Sequence, residues 1–257
     1  MKIKLPNGLN FFLPSKRMRS AVRFLTGEIF KKKRYSAKGF EIKQNDTILD
    51  IGANMGLFTL WAVPQAVKGK IIAVEPISEA IEILNNNLKN NNIKNVNTVK
   101  AAIGTDGKFI DFVTYPGFNV INHHSAWQPA LYTKLLVRLF TAQRDCRKSN
   151  ERVCAVSLGR IISDYCPDRV NVLKIDAEGS EYEVFRNLSN EDFGKIDKII
   201  MEFHEYYPGN RHKELVSILA SKGFNVRVEK PMFDYYFGKC GFIWAWKDKK
   251  KEEKCIQ

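Results

Sequence analysis

No run of charge-free apolar residues in this sequence is long enough to span a bilayer. The opening MKIKLPNGLNFFLP also lacks the long apolar run and small-residue cleavage site of a secretory signal. A cytoplasmic address is therefore expected, with peripheral membrane contact as a variant of it. Cysteine is sparse and unpatterned. Cys146, Cys154, Cys166, Cys240 and Cys255 are odd in number and never form CxxC. Reduced thiols fit that pattern better than a disulfide framework or a zinc site. Acid is in short supply too: 28 Asp and Glu stand against 41 Lys and Arg, for a net charge of +13. The excess is local. Lys16, Arg17, Arg19, Arg23, Lys31, Lys32, Lys33, Arg34 and Lys38 face a single acid, Glu28. Such a patch can meet nucleic acid, anionic lipid or an acidic substrate, or can simply be a solvated face.

What is present is a regular alternation. Residues 3–12 (IKLPNGLNFF) read as a hairpin, with Asn7-Gly8 suited to a type I′ turn. Residues 15–34 read as a basic helix with Met18, Val22, Leu25 and Ile29 on one face. From residue 46, strands at 47–51, 70–75, 96–103, 170–176 and 198–203 alternate with helices at 57–63, 78–90, 181–188 and 210–222. Ser78 is a plausible N-cap and Gly223 a terminator. Strands at 224–228 and 242–246 have no room for a helix between them, so they must pair antiparallel. Alternation of this kind predicts right-handed βαβ units in a doubly wound, Rossmann-like α/β sheet, mostly parallel. One reversed strand at the C-terminal end is the layout of class I methyltransferases. The predicted organisation is an N-terminal hairpin and basic extension (1–45), one domain (46–248) with an insert at about 114–152, and a charged tail (249–257).

The sharpest motif is Asp50-Ile51-Gly52-Ala53-Asn54-Met55-Gly56, between a strand and a helix. Gly52 permits a sharp turn and a close ligand approach, and Gly56 lets the helix start near the sheet. Ligands of open α/β sheets sit outside the carboxyl ends of strands. Glu75 ends the next strand 19 residues beyond Gly56, where a carboxylate can accept both ribose hydroxyls. A dinucleotide site would favour GxGxxG, to bring backbone against a pyrophosphate. The spacing here is GxNxG, and Asn54 puts a side chain on that path. S-adenosylmethionine (SAM) has no phosphate, and Asn54 could meet its methionine carboxylate. Ala102, after the third strand, lies where an adenine would rest. The cofactor-binding set is thus Asp50, Gly52, Asn54, Gly56, Glu75 and Ala102. Asp106-Gly107 reads as a turn.

Four segments resemble the FkbM-type methyltransferases: DTILDIGANMGLFTL (46–60), IIAVEP (71–76), VLKIDAEGSEYEVF (172–185) and IIMEFHE (199–205). GEIFKKKRY (27–35) is similar to the stretch that precedes the family's cofactor loop. In this register the resemblance covers roughly residues 27–246 apart from the insert. It implies SAM-dependent methyl transfer, usually to a hydroxyl of a sugar, glycan or natural product. SLGRII (157–162) departs from the family, which tends to carry acids after the leucine; Arg160 reverses that charge.

Asp176, Glu178 and Glu181 follow the fourth strand, and Glu202 and His204 end the fifth, so carboxylates and an imidazole can converge on one crevice. Asp176, Glu178 and His204 are the candidate catalytic residues, one of Glu178 and His204 serving as base. Glu181 has an equally good role at a helix N-terminus. Lys174, odd in a buried strand, suits a structural ion pair. Mg²⁺ is compatible with the oxygen ligands, but carboxylate count alone does not require it; no metal ligand is assigned, and His123-His124 read as loop. Trp127, His123 and Tyr235-Tyr236-Phe237 could wall an acceptor pocket. Acceptors that fit are a small molecule, a glycan held by Arg138, Arg144 and Arg147, or a lipid-linked substrate. Two basic amphipathic segments, 15–34 and 128–148, could lie on an anionic membrane or could dock on the domain. RNA methylation is the alternative that the basic charge suggests, but no NPPY or PC loop and no RNA-binding module accompanies it, so nucleic acid is not the expected partner. A non-catalytic SAM-binding protein is the other alternative.

Overall fold

A computed structural model of the chain describes residues 1–114, 123–124, 149–205, 209–231 and 239–248. The chain opens on a hairpin of β1 (Lys2–Lys4) and β2 (Asn10–Phe12). Its turn is not the expected type I′, because Gly8 has positive φ (90°) and Asn7 does not. Instead the Gly8 N–H donates to the Leu5 carbonyl at 3.0 Å, and Leu5 N–H donates to Leu9 at 2.8 Å. Pro6, with φ preset, takes the first central position and moves the turn back by one residue; left-handed Gly8 then completes the loop. The hairpin is fastened from outside by Asn87, whose Oδ1 accepts the Phe12 N–H at 2.6 Å.

A 3₁₀ turn (Lys16–Met18), α1 (Arg19–Thr26) and a π-helical turn (Gly27–Lys31) follow. Met18, Val22 and Ile29 are buried in the same apolar cluster as Phe58, Leu60 and Trp244. The apolar stripe of 15–34 is thus docked on the domain rather than offered to a membrane. The segment 128–148 lies outside the described residues. Among the described residues no helix is long and apolar enough to cross a membrane.

Next come β3 (Thr47–Ile51), α2 (Leu57–Ala62), β4 (Lys70–Val74), α3 (Ser78–Asn90) and β5 (Val96–Val99). A side sheet intervenes, made of β6 (Ala102–Ile103), β7 (Phe109–Thr114), β8 (His123–His124) and β9 (Ser149–Val156). The alternation resumes with α4 (Leu158–Tyr165), β10 (Val172–Ile175), α5 (Glu181–Arg186), α6 (Asn190–Lys195) and β11 (Lys198–His204). The last elements are α7 (His212–Ser221), β12 (Asn225–Glu229) and β13 (Cys240–Trp246).

Seven strands form the main sheet in the order β12-β13-β11-β10-β3-β4-β5. β13 runs antiparallel to both neighbours, and the other pairings are parallel. This is the doubly wound sheet with a reversed strand that the alternation predicts. Its central strands are apolar on both faces, as helices on both sides require: Ile48, Leu49, Ile72, Leu173, Ile175 and Ile199 are fully buried. The strand order reverses between β3 and β10, so a crevice opens at their carboxyl ends.

Two expectations need correction here. The strand expected over 96–103 breaks after Val99. The Glu75 N–H, just past β4, makes the last ladder bond to Val99 (3.0 Å). Beyond it β5 has no neighbour, so Ala102 and Ile103 pair with Ala155 and Val156 of β9 instead. Ser78 is not an N-cap but the first residue of α3. Its N–H and hydroxyl both go to the carboxylate of Glu151 on β9, which caps the helix from outside and fastens the side sheet to it.

Candidate active site

The loop after β3 is built by backbone constraints. Gly52 and Ala53 both donate their N–H to the Val74 carbonyl at 3.0 Å, which folds the loop over the end of β4. Gly52, Asn54 and Gly56 all have positive φ (71°, 50° and 87°). A Cβ on Gly52 would fall 1.8 Å from the Asp176 carbonyl oxygen. Its missing side chain therefore makes room for the end of β10. A Cβ on Gly56 would meet Leu84 of α3 at 2.2 Å. Beneath the loop, Lys174 pairs with Asp50 at 3.2 Å and donates to the Gly52 carbonyl at 2.8 Å, with both side chains buried. Burial pulls the Lys174 ammonium down, but Asp50 and Asp176 outweigh it and hold its pKa above the usual value. Asp50 also accepts the Thr59 hydroxyl at 2.7 Å.

Beside this loop lies a solvent-open cleft. Its lining includes the polar Asn54 and Glu75, the apolar Ile77, Ala101, Ala102, Ile103 and Phe112, and the segment Asp176, Ala177 and Glu178. Glu75 is almost buried. One carboxylate oxygen accepts the Asn54 N–H (2.8 Å) and the other the Ile77 N–H (2.9 Å). Burial pushes its pKa up to about 7, against the pull of those two donors. Each oxygen retains a second acceptor site. A carboxylate for ribose hydroxyls, an apolar wall for a base and an amide side chain for an amino-acid carboxylate match the chemistry of SAM.

Past β10 the chain turns abruptly. Glu178 takes φ of 51° and Gly179 of 103°, strain of the kind that gathers at functional sites. Glu181, fully buried at the start of α5, holds the turn: its Oε1 accepts the N–H groups of Ala177 (3.1 Å) and Gly179 (3.2 Å). The same oxygen lies 3.0 Å from His204 Nδ1, while His204 Nε2 is 3.9 Å from Glu178. One ligand-type atom each from Asp176, Glu178 and His204 lies within 4.8 Å of the others. Glu202 is reached from the N-terminal extension by Arg34 at 3.6 Å. Burial pushes the carboxyls of both Glu178 and Glu202 upward, and neighbouring acids add to the effect. Burial lowers His204, but Glu181 and Glu178 reverse this and keep the imidazole protonated well above its usual range.

Of the residues assigned from sequence, Gly52, Asn54, Glu75, Ala102, Asp176 and Glu178 line the cleft, and His204 touches it through Glu178. Asp50 and Gly56 do not line it; they support the loop from below. With its pKa held up by Glu181 and Glu178, His204 gives up a proton less readily than an ordinary imidazole. Arg160 lies away from the cleft on α4, exposed and paired with Asp164 at 3.6 Å. Trp127, Tyr235, Tyr236, Phe237, Arg138, Arg144, Arg147 and the side chain of His123 lie outside the described residues. Sequence reasoning missed Phe112 as a lining residue, Arg34, and Tyr35, whose buried phenol is held well above its usual pKa by burial and then by Asp176 and Glu202. The one signal for Arg34 and Tyr35 was their place in GEIFKKKRY.

The family model for the methyltransferase FkbM domain matches residues 50–226. AMB antimetabolite synthetase AmbE of Pseudomonas aeruginosa is 23% identical over 225 residues, which is 79% of this chain but only 10% of that protein. The 31-O-demethyl-FK506 methyltransferase FkbM of Streptomyces tacrolimicus is 25% identical over 245 residues, covering 90% of this chain and 92% of that one. Among solved structures, methyltransferase FkbM from Methylobacillus flagellatus superposes with a TM-score of 0.51 at 12% identity, over 79% of this chain and 44% of that one. That likeness speaks for the fold. With the family model spanning the loop, the acid of the second strand and the strained turn after β10, the chain belongs to the FkbM family of SAM-dependent methyltransferases.

Proposed function

We propose that the protein transfers a methyl group from SAM to a hydroxyl oxygen of a small molecule, of the sugar, glycan or natural-product kind. One observation carries this reading: the ribose-type acid Glu75 and the acidic pair Asp176 and Glu178 line a single cleft. Bound SAM supplies an electrophilic methyl group. Glu75 accepts the ribose hydroxyls, Asn54 meets the methionine carboxylate, and Ala102 with Phe112 walls the adenine. At the other end, Asp176 and Glu178 hold the acceptor hydroxyl in place, which by itself lowers the barrier substantially. Burial makes Glu178 a stronger base than an ordinary carboxylate once it has lost its proton, which suits it to take the hydroxyl proton. His204, held as a cation by Glu181, faces the forming alkoxide with positive charge.

Mass spectrometry of cell extracts incubated with isotope-labelled SAM, with and without the protein, tests the reading. A labelled O-methyl product is expected. At saturating SAM, Glu178→Gln should lower its formation by about 10²–10⁴-fold with SAM affinity retained. Label appearing on nitrogen or carbon, or near-normal turnover in both Glu178→Gln and His204→Ala, would contradict the reading.

A further inference from the structure

We infer that Asp176, Glu178 and His204 form a binding site for one small divalent cation of the Mg²⁺/Mn²⁺ class at the acceptor end of the cleft. The inference rests on the methyl-transfer reading above and adds the agent that holds the acceptor oxygen. Two carboxylates and one imidazole offer atoms within 4.8 Å of one another. At about 2.1 Å per ligand, an octahedral ion sets neighbouring ligands about 3 Å apart and opposite ones about 4.2 Å apart. The 3.9 Å between His204 Nε2 and Glu178 falls in that range.

Two further observations separate this group from a chance cluster of acids. The first is the support of His204. Glu181, with no exposed surface, holds Nδ1 at 3.0 Å and is itself fixed by two backbone N–H groups. That turns the Nε2 edge toward Glu178, the arrangement of a metal-ligating histidine braced by a carboxylate. The second is an unmet need. Asp176 Oδ1 is buried and has no hydrogen-bond partner among the described residues, and the same holds for Glu181 Oε2. Buried carboxylate oxygens without partners are costly and call for a cation. Lys174 does not supply it, because its ammonium is spent on Asp50 and the carbonyls of Ile51 and Gly52.

Oxygen ligands suit Mg²⁺, and the imidazole favours Mn²⁺ within that class. Three protein ligands leave three positions on an octahedral ion. Those could take two neighbouring oxygens of an acceptor, such as a vicinal diol, and a water. The ion would then be the positive charge beside the forming alkoxide.

The test is an electron paramagnetic resonance titration of Mn²⁺ into the full chain, first stripped with EDTA. The free Mn²⁺ signal should fall with a stoichiometry of one ion per chain, and Mg²⁺ should compete. His204→Ala should weaken binding at least tenfold. Glu178→Gln, a near-isosteric change, should do the same and is the safer variant to fold; a circular dichroism melt checks both. Glu181→Gln, acting only through His204, should weaken it by about 10–100-fold. An undiminished free Mn²⁺ signal at millimolar ion, or binding unchanged in folded Glu178→Gln, would overturn the inference. Calorimetry of SAM on the same samples separates the two readings. SAM binding without Mn²⁺ binding removes the cation site alone, whereas Mn²⁺ binding without SAM binding keeps the site and removes the methyl-transfer reading.

Discussion

Replacing Gly52 with alanine should destabilise the protein through β10, and only secondarily disturb SAM. The new Cβ would lie 1.8 Å from the Asp176 carbonyl oxygen and 2.9 Å from its carbon. An ordinary contact needs roughly 1.5 Å more, and neither side can yield cheaply. Gly52 is pinned by its N–H bond to Val74 at 3.0 Å, and Asp176 by its N–H bond to Ile51 at 3.1 Å. Alanine at φ of 71° costs about 1–2 kcal/mol in conformation alone. Overpacking and a weakened ladder bond raise the total to about 3–6 kcal/mol. That is a large part of the roughly 5–15 kcal/mol that holds a domain together. Gly56→Ala is the control. Its Cβ meets the tip of the Leu84 side chain at 2.2 Å, which can swing away, so it should cost about half as much. Urea denaturation of the three proteins measures both. Because Asp176 must shift in Gly52→Ala, turnover should fall further than SAM affinity. A loss below about 1 kcal/mol, or one no larger than that of Gly56→Ala, would refute the reasoning.

The Glu75 carboxyl, pushed up to about 7, should make SAM affinity pH-dependent. Its acceptor form is the ionised one, so affinity should rise up to about tenfold per pH unit toward pH 7 and level off above, and Glu75→Gln should flatten the curve and weaken binding about 10–100-fold. The sign for stability is opposite: a raised folded pKa contributes stability that is full below about 4.5 and lost as pH rises through about 7, so SAM should protect against denaturation most strongly at alkaline pH. Lys174→Met strands the buried Asp50 charge and should cost about 3–5 kcal/mol in urea, part of it recovered when Asp50→Asn is added.

Much of the main sheet was legible because its strands carry unbroken apolar runs and its loops carry glycine at steric limits. The runs at 47–51 and 198–203 are strands with matching bounds at one or both ends. The antiparallel pairing of the last two strands followed from the lack of space between them. What failed was whatever depended on a distant partner. Val96–Val99 reads as continuous with Ile103 until one sees that β4 ends at Val74 and β9 takes over. Ser78 has the side chain of a cap, but Glu151, 73 positions away, holds its N–H. In the site, residue type and strand end pointed to Asp176, Glu178 and His204, while nothing local shows that Glu181 sets the state of His204 or that Arg34 reaches Glu202. A motif also does not say which of its members line the cleft, as Gly52 and Asn54 do, and which lie beneath it, as Asp50 does.

The central claim is that the cleft at the carboxyl ends of β3 and β4 holds SAM with its methyl directed at the acidic cluster after β10. A crystal structure with S-adenosylhomocysteine tests it most directly. The ribose hydroxyls should lie within hydrogen-bond distance of the Glu75 carboxylate, the adenine against Ala102 and Phe112, and the sulfur toward Asp176 and Glu178. A ribose held by other residues, or a sulfur turned away from Asp176 and Glu178, would contradict the account.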